Sequence, residues 1–294
     1  MSWTNTLTRL GSGQLWLLLG GLVAAHHLTV MSLTQAAAGS LLAMMVWGGA
    51  IICMEDRLPS LQPAPSRLSG ALGTVLVLWG LWRGAQVAYL DAVTFVLPLV
   101  LGLGLALLCV PVRRLGEFRV ELAVLALMVV ALLILNSMPE QALSEATAEI
   151  TQWILLAMGQ DAKLQGRLVA LPRGGVHVAG SCNGVEVVAL LVVIAVVFLL
   201  AFRMKSPARM MVILVLAPIF AILGNALRIT LLALVVASDW AWKSEIFKFF
   251  HDEYGALVFS GITVGVYGWV YLVVLEGDLA ARKKKRAQAL AGSV

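Results

Sequence analysis

The sequence predicts an all-α polytopic membrane protein with about eight transmembrane helices, and three observations carry that prediction. Of the 294 residues 61% are hydrophobic and only 13% are charged, whereas a soluble domain carries about a quarter charged residues. Apolar runs of about twenty residues, the length that crosses a hydrocarbon core of roughly 30 Å, recur along the whole chain. Lysine and arginine are also unevenly shared between alternate connections, as a positive-inside orientation requires. Too few polar residues exist to cover this many helices in water, which excludes a soluble bundle.

The spans fall at 14–33, 35–54, 69–90, 92–112, 120–138, 184–202, 210–237 and 255–275. The first reads as a retained helix rather than a signal peptide, because no small-residue cleavage pattern follows a short apolar core. His26 and His27 lie within it. Adjacent helical residues point about 100° apart, so the pair reads as helix packing or an outer-end position and not as a metal site. Trp47, Trp79 and Trp82 are candidate interface anchors, and Pro59 to Pro65 is a turn.

A long connection, 139–183, separates spans five and six. Its first half, 141–158, sets Leu143, Ala146, Ile150, Ile154 and Leu155 at helical spacing, with Glu145, Glu149 and Gln152 on other faces. That is an amphipathic helix, lying on the membrane surface or capping the bundle. Its second half places Gly166, Pro172 and Gly174-Gly175 between the short segments Lys163 to Val169 and Val176 to Val178, which predicts a small hairpin. The chain thus reads as a single integral membrane domain, 1–294. Residues 139–183 form an extracytoplasmic loop, 182–275 the core helices that carry chemistry, and 276–294 a basic cytoplasmic tail.

Orientation follows from the basic residues. With the N-terminus cytoplasmic, one side collects Arg9, Arg57, Arg67, Arg113, Arg114, Arg119, Arg203, Lys205, Arg209 and the run Arg282 to Arg286, fourteen in all. The other side holds six: Arg83, Lys163, Arg167, Arg173, Lys243 and Lys248. Eight spans then leave both termini in the cytoplasm and put the loops 139–183 and 238–253 outside. The net charge of +5 is mostly this bias. The basic tail anchors the last helix against anionic lipid, and no nucleic-acid partner is implied.

Against this background Cys182 stands out. It lies in Gly180-Ser181-Cys182-Asn183-Gly184, the last polar stretch before the apolar run Val185 to Ala201. Cys53 and Cys109 belong near cytoplasmic helix ends, so Cys182 has no disulfide partner at the outer face. Arg228 is eighteen residues beyond Met210, about 27 Å along a helix that starts inside. His251 comes a few residues before span eight starts from outside. Three side chains from three helices therefore share one layer.

Each has a role available there. A helix N-terminus and a nearby cation favour the thiolate of Cys182. Asn183 and Gly184 turn the chain into the helix and leave backbone N–H groups to hold an oxyanion. His251 suits proton transfer near neutrality. Arg228 has no proton to exchange, so its part is electrostatic. Asn225, one turn before Arg228, can orient the guanidinium or donate to an oxyanion. Glu186, one turn after Cys182, can pair with Arg228 or orient His251; a carboxylate beside a thiolate raises the thiol pKa, which favours the pair with Arg228. His177, five residues before Cys182, reads as a surface residue or an auxiliary. Arg228 snorkelling to headgroups or pairing with Asp239 is the plainer alternative.

Cys182-Asn183-Gly184 opening a span, Asn225-x-x-Arg228 late in the next, and His251 with Gly255 and Phe259 at the start of the last resemble the exosortase/archaeosortase family of membrane cysteine transpeptidase-like enzymes. Order, separations, span count and length agree. Asn183 stands where many members have serine, and Asn183-Gly184-Val185-Glu186 is similar to the cyanobacterial exosortase branch. The resemblance implies a protease or transpeptidase in the cell inner (plasma) membrane that sorts secreted proteins. Its substrates carry a C-terminal signal: a Pro-Glu-Pro-type motif, a transmembrane helix and a basic cluster. Cys182 would be the nucleophile, Arg228 the charge stabiliser and His251 the acid/base. An acceptor (lipid, glycan or water) would release the thioester, and no cofactor or metal is called for. A non-catalytic transporter or surface-assembly component, with Arg228 and Glu186 as a buried pair, is the reading from another class. A rhomboid-like serine protease is disfavoured, since no Gly-x-Ser-x-Gly occurs.

Overall fold

The computed structural model describes residues 11–34, 37–202 and 204–291; Arg9 and Arg203 of the charge count lie outside them. The chain divides into two compact units, residues 1–133 and 134–294. Helices stand at all eight expected positions. Among the described residues five stretches are long and apolar enough to cross a membrane: Ser12–Leu33, Ala92–Cys109, Val112–Ser137, Pro207–Ala237 and Gly255–Lys284. The chain is thus a helical, polytopic membrane protein.

The first unit holds α1 (Ser12–Leu33), α2 (Ala37–Met54), α3 (Arg67–Gly84), α4 (Ala92–Cys109) and the start of α5 (Arg119–Ser137). The ends of α3 and α4 are written locally. Ser66 Oγ accepts from the Ser69 N–H at 3.2 Å, and Asp91 Oδ1 accepts from the Thr94 N–H at 2.9 Å, each an N-cap. α3 and α4 approach closely through glycine: a Cβ on Gly73 would lie 2.7 Å from Gly104 O. Of the two histidines of α1, His27 is a packing residue, one of the two roles expected for the pair. His27 is fully buried, donates from Nε2 to Thr94 O at 3.1 Å and accepts from Trp47 Nε1 at 3.3 Å. Trp47 is therefore an interior residue and not an interface anchor, whereas Trp79 and Trp82 are exposed.

The second unit is built around the 31-residue helix α8 (Pro207–Ala237). On it pack α6 (Glu140–Ala157), α7 (Val185–Ala201), α9 (Lys243–His251), α10 (Glu253–Ala291) and part of a small sheet. Tyr267 Oη donates to Ile213 O at 2.9 Å, and Tyr271 Oη to Phe198 O at 3.0 Å. These bonds tie α10 to α8 and α7. A Cβ on Gly224 would lie 2.3 Å from Thr263 Oγ1, so α8 and α10 meet backbone to side chain there.

Two differences from expectation concern the connections. The hairpin is a three-stranded antiparallel sheet, β1 (Lys163–Gln165), β2 (Leu168–Leu171) and β3 (Gly174–His177), in that order. Gly166, at φ +61°, turns the chain inside the segment expected to be one strand, and pairs Gln165 with Leu168. The loop 238–253 contains a helix, α9, whose residues are all at least partly exposed. The basic tail, in turn, continues α10 as helix to Ala291. Asp278 is buried there, accepting from the Lys205 N–H and Arg209 Nη1, both at 3.3 Å, and from Arg282. The expected amphipathic helix is α6. It turns Leu143, Ser144, Thr147, Ala148, Thr151 and Leu155 inward and leaves Trp153 and Leu156 exposed.

Candidate active site

Cys182 ends a 3-10 turn, Gly180–Cys182, which the chain enters through Gly180 at φ +55°. It is 4% exposed and lies in an apolar cluster with Val176 and Val178 from the sheet end and Ile229 and Leu232 from α8. Asn183 is buried beside it, and its Oδ1 accepts from the Val185 N–H at 3.0 Å, starting α7. Gly184 is needed twice over. Its φ is +85°, and a Cβ on it would lie 2.7 Å from Asn225 Nδ2.

Three side chains fix this turn and its neighbour. Asn225 Nδ2 donates to Cys182 O at 2.9 Å. Thr147 Oγ1, on α6, donates to Asn183 O at 3.3 Å, and Thr151 Oγ1 donates to Ala226 O at 3.3 Å. Of the backbone donors expected to be open, the Asn183 N–H is used by Gly180 O at 3.2 Å. The Gly184 N–H has no acceptor among the described residues. Asn225 thus bonds the cysteine's own carbonyl, holding the loop rather than orienting the guanidinium.

Arg228 is 5% exposed. Its Nε donates to Phe250 O at 3.0 Å and its Nη2 to His251 O at 2.6 Å, which clamps the end of α9 to α8. Its electrostatic neighbours are Cys182 and Glu186. Asp239 instead pairs with Arg173, so the alternative ion pair for Arg228 is not formed. The corner after Arg228's partners is tight: a Cβ on Gly255 would lie 2.3 Å from Phe250 Cα.

The structure brings the His251 carbonyl to Arg228, but not the imidazole. That ring is stacked on Phe247 at 5.2 Å and 18°, with Nδ1 3.4 Å from Asp252 Oδ1. The His251 side chain is 40% exposed, and among the described residues it makes no hydrogen bond to Cys182. His177 is exposed at the end of β3, as a surface residue would be. Among the described residues no cluster of three or more His, Cys, Asp or Glu could hold a metal.

Thr147, Thr151 and the carbonyl of Phe250 are the parts that sequence reasoning missed. Ser144, Thr147 and Thr151 recur at three- and four-residue spacing, so a small polar stripe on α6 was there to be read. The Phe250 carbonyl had no such signal, because backbone acceptors carry no residue identity.

Fold and site together define an integral membrane protein whose second unit buries a loop cysteine and an arginine, with a histidine at the helix corner that the arginine clamps. The chain belongs to the transmembrane exosortase family, whose model matches residues 32–268 and so covers every one of these residues. No curated protein and no solved structure matches the chain.

Proposed function

We propose that this protein is a cysteine protease or transpeptidase of the extracytoplasmic face, removing the C-terminal sorting signals of secreted proteins. The observation that carries the reading is the placement of Arg228, a buried guanidinium anchored by two carbonyls one helical turn from Asn225, which bonds Cys182 O, with Cys182 among its electrostatic neighbours. It rests as well on family membership.

In this reading the eight helices span the inner (plasma) membrane with both termini cytoplasmic. The substrate's transmembrane helix and basic cluster place its Pro-Glu-Pro-type motif at the outer layer, beside Cys182. The His251 imidazole leaves Phe247, takes the Cys182 proton, and the thiolate attacks the scissile carbonyl carbon. The oxyanion that forms is met by the Gly184 N–H and the charge of Arg228. The intermediate collapses with cleavage of the C–N bond, and His251 returns its proton to the leaving amine. A thioester on Cys182 remains. A lipid, glycan or water nucleophile then adds to that carbonyl, loses its proton to His251 and displaces the cysteine sulfur. Glu186 balances Arg228 between the two half-reactions.

The test is co-expression with a secreted reporter carrying such a C-terminal signal, followed by immunoblot. Wild type is expected to shorten the reporter, while Cys182→Ala and Cys182→Ser leave it full length although both accumulate in the membrane. Processing by Cys182→Ala equal to wild type would overturn the cysteine mechanism. A silent Cys182→Ala with a defective Arg228→Ala would favour a transporter or assembly component.

A further inference from the structure

The first unit contains a cleft that plays no part in this chemistry. It encloses about 160 Å³ between α1, α2, α4 and α5, near the volume of an engineered apolar cavity that takes up benzene, about 150 Å³. Its floor is interior side chains, among them Trp47, Leu105 and Phe118, while Leu17 and Ile51 at its rim are exposed. The cleft therefore opens sideways, between α1 and α2, towards whatever solvates the helices. In a membrane protein that is hydrocarbon.

One polar group breaks the apolar lining. Glu121 is 4% exposed and lines the cleft. Its Oε1 takes an ion pair from Arg57, which also donates from Nη1 to Glu117 O at 2.7 Å. Its Oε2 is buried and has no hydrogen-bond partner among the described residues. A buried carboxylate oxygen left without a donor costs about 1–3 kcal/mol or more, and no described side chain relieves it. Arg57 already balances the charge, so the group wanted at Oε2 is a neutral donor. Its remainder must be apolar to fill the cleft.

We propose that this cleft binds a hydroxyl-bearing hydrocarbon, a long-chain alcohol or the hydroxyl end of a neutral lipid, with its O–H donated to Glu121 Oε2 and its first few carbons in the cleft. The rest of the chain leaves past Leu17 and Ile51 into the bilayer. A free fatty acid fits poorly, because its carboxylate would meet that of Glu121.

The experiment is photo-labelling of the purified full-length protein in nanodiscs with three diazirine probes of equal chain length: an alcohol, a fatty acid and a plain hydrocarbon. Labelled peptides are located by mass spectrometry. The alcohol is expected to label α1 and α5 at least about fivefold above the hydrocarbon, the margin one hydrogen bond gives, and above the acid. Two variants separate cleft from head-group contact. A side chain at Gly21, which lines the cleft and has open space at its Cβ, should fill it: Gly21→Leu should remove labelling by both alcohol and hydrocarbon. Glu121→Met should reduce alcohol labelling to the hydrocarbon level. Equal labelling by alcohol and hydrocarbon in wild type would overturn the proposal, as would stronger labelling by the acid or labelling untouched by Gly21→Leu.

Discussion

At Arg228 one side chain donates to two main-chain carbonyls, and a thiol and a carboxylate are its electrostatic neighbours. A lysine would keep the charge but present a point donor on a flexible stem instead of a planar fork. Arg228→Lys is therefore expected to accumulate normally yet process a signal-bearing reporter about 10- to 100-fold more slowly, the worth of one or two charge-assisted hydrogen bonds. Rates near wild type would show that charge alone matters. Asn225→Ala removes the donor to Cys182 O and leaves a buried carbonyl bare, about 1–3 kcal/mol. It should both lower the thermal stability of the purified protein and slow processing, whereas a loop held by packing alone would change neither. Arg228 was legible in the sequence because an arginine within a span is costly and asks for a reason. Its actual partners were not, since they are carbonyls of α9, a helix hidden in what read as a loop. Asn225 was legible as a neighbour of Arg228, but only the fold decides which of two nearby acceptors an amide takes.

Elements were legible where one signal governed them. The apolar spans follow length and hydropathy, and α6 follows its period. The sheet was half legible, because Gly166 is one turn residue within seven residues that otherwise suit a strand. α9 was invisible: nine residues beginning Lys243-Ser244-Glu245 have no apolar stripe long enough to declare a helix. Two predictions belong at this scale. Gly73→Leu puts a side chain where a Cβ would already lie 2.7 Å from Gly104 O and 3.0 Å from Leu108 N, both backbone atoms that do not yield. The pair α3–α4 should lose about 1–3 kcal/mol, read as a lower melting temperature and yield. The cap of α4 should be sensitive to acid. Burial raises the Asp91 carboxyl, but hydrogen bonds from Thr94 and the Arg83 guanidinium outweigh it and hold the group below the ordinary carboxylate range. A carboxyl depressed in the folded state adds stability that is complete above its unfolded value, about 3.9. That stability is lost as pH falls through the lower folded value. Melting temperature should thus drop more steeply from about pH 5 to about pH 3 in wild type than in Asp91→Asn, which keeps a capping oxygen without the titration. Parallel slopes would count against the cap as the cause.

For the whole molecule, function depends on which way the bundle faces. Every group of the candidate site lies in the second unit, between Thr147 and Asp252. It is built from the start of α7, the late part of α8 and the corner between α9 and α10. Hydrogen bonds from Asn225 to Cys182 O and from Arg228 to the Phe250 and His251 carbonyls hold those three places together, so they reach one membrane face together when α7 and α8 each cross once. α8 and α10 are long enough to do so, while α7 is an apolar helix of 17 residues, about 25 Å. In the proposed reading the bias of fourteen basic residues against six puts that shared side at the exterior. Alkaline phosphatase, which is active only after export, should then be active when fused after Trp242 and inactive when fused after Val294. A fluorescent protein that folds only in the cytoplasm should give the reverse pattern. The opposite result would put Cys182 in the cytoplasm, where an exported substrate's motif never waits beside it. A transport or assembly role would then account better for Arg228 and Glu186. The expected result would leave the thiol at the layer where a secreted chain, still held by its own helix, presents its last extracytoplasmic peptide bonds.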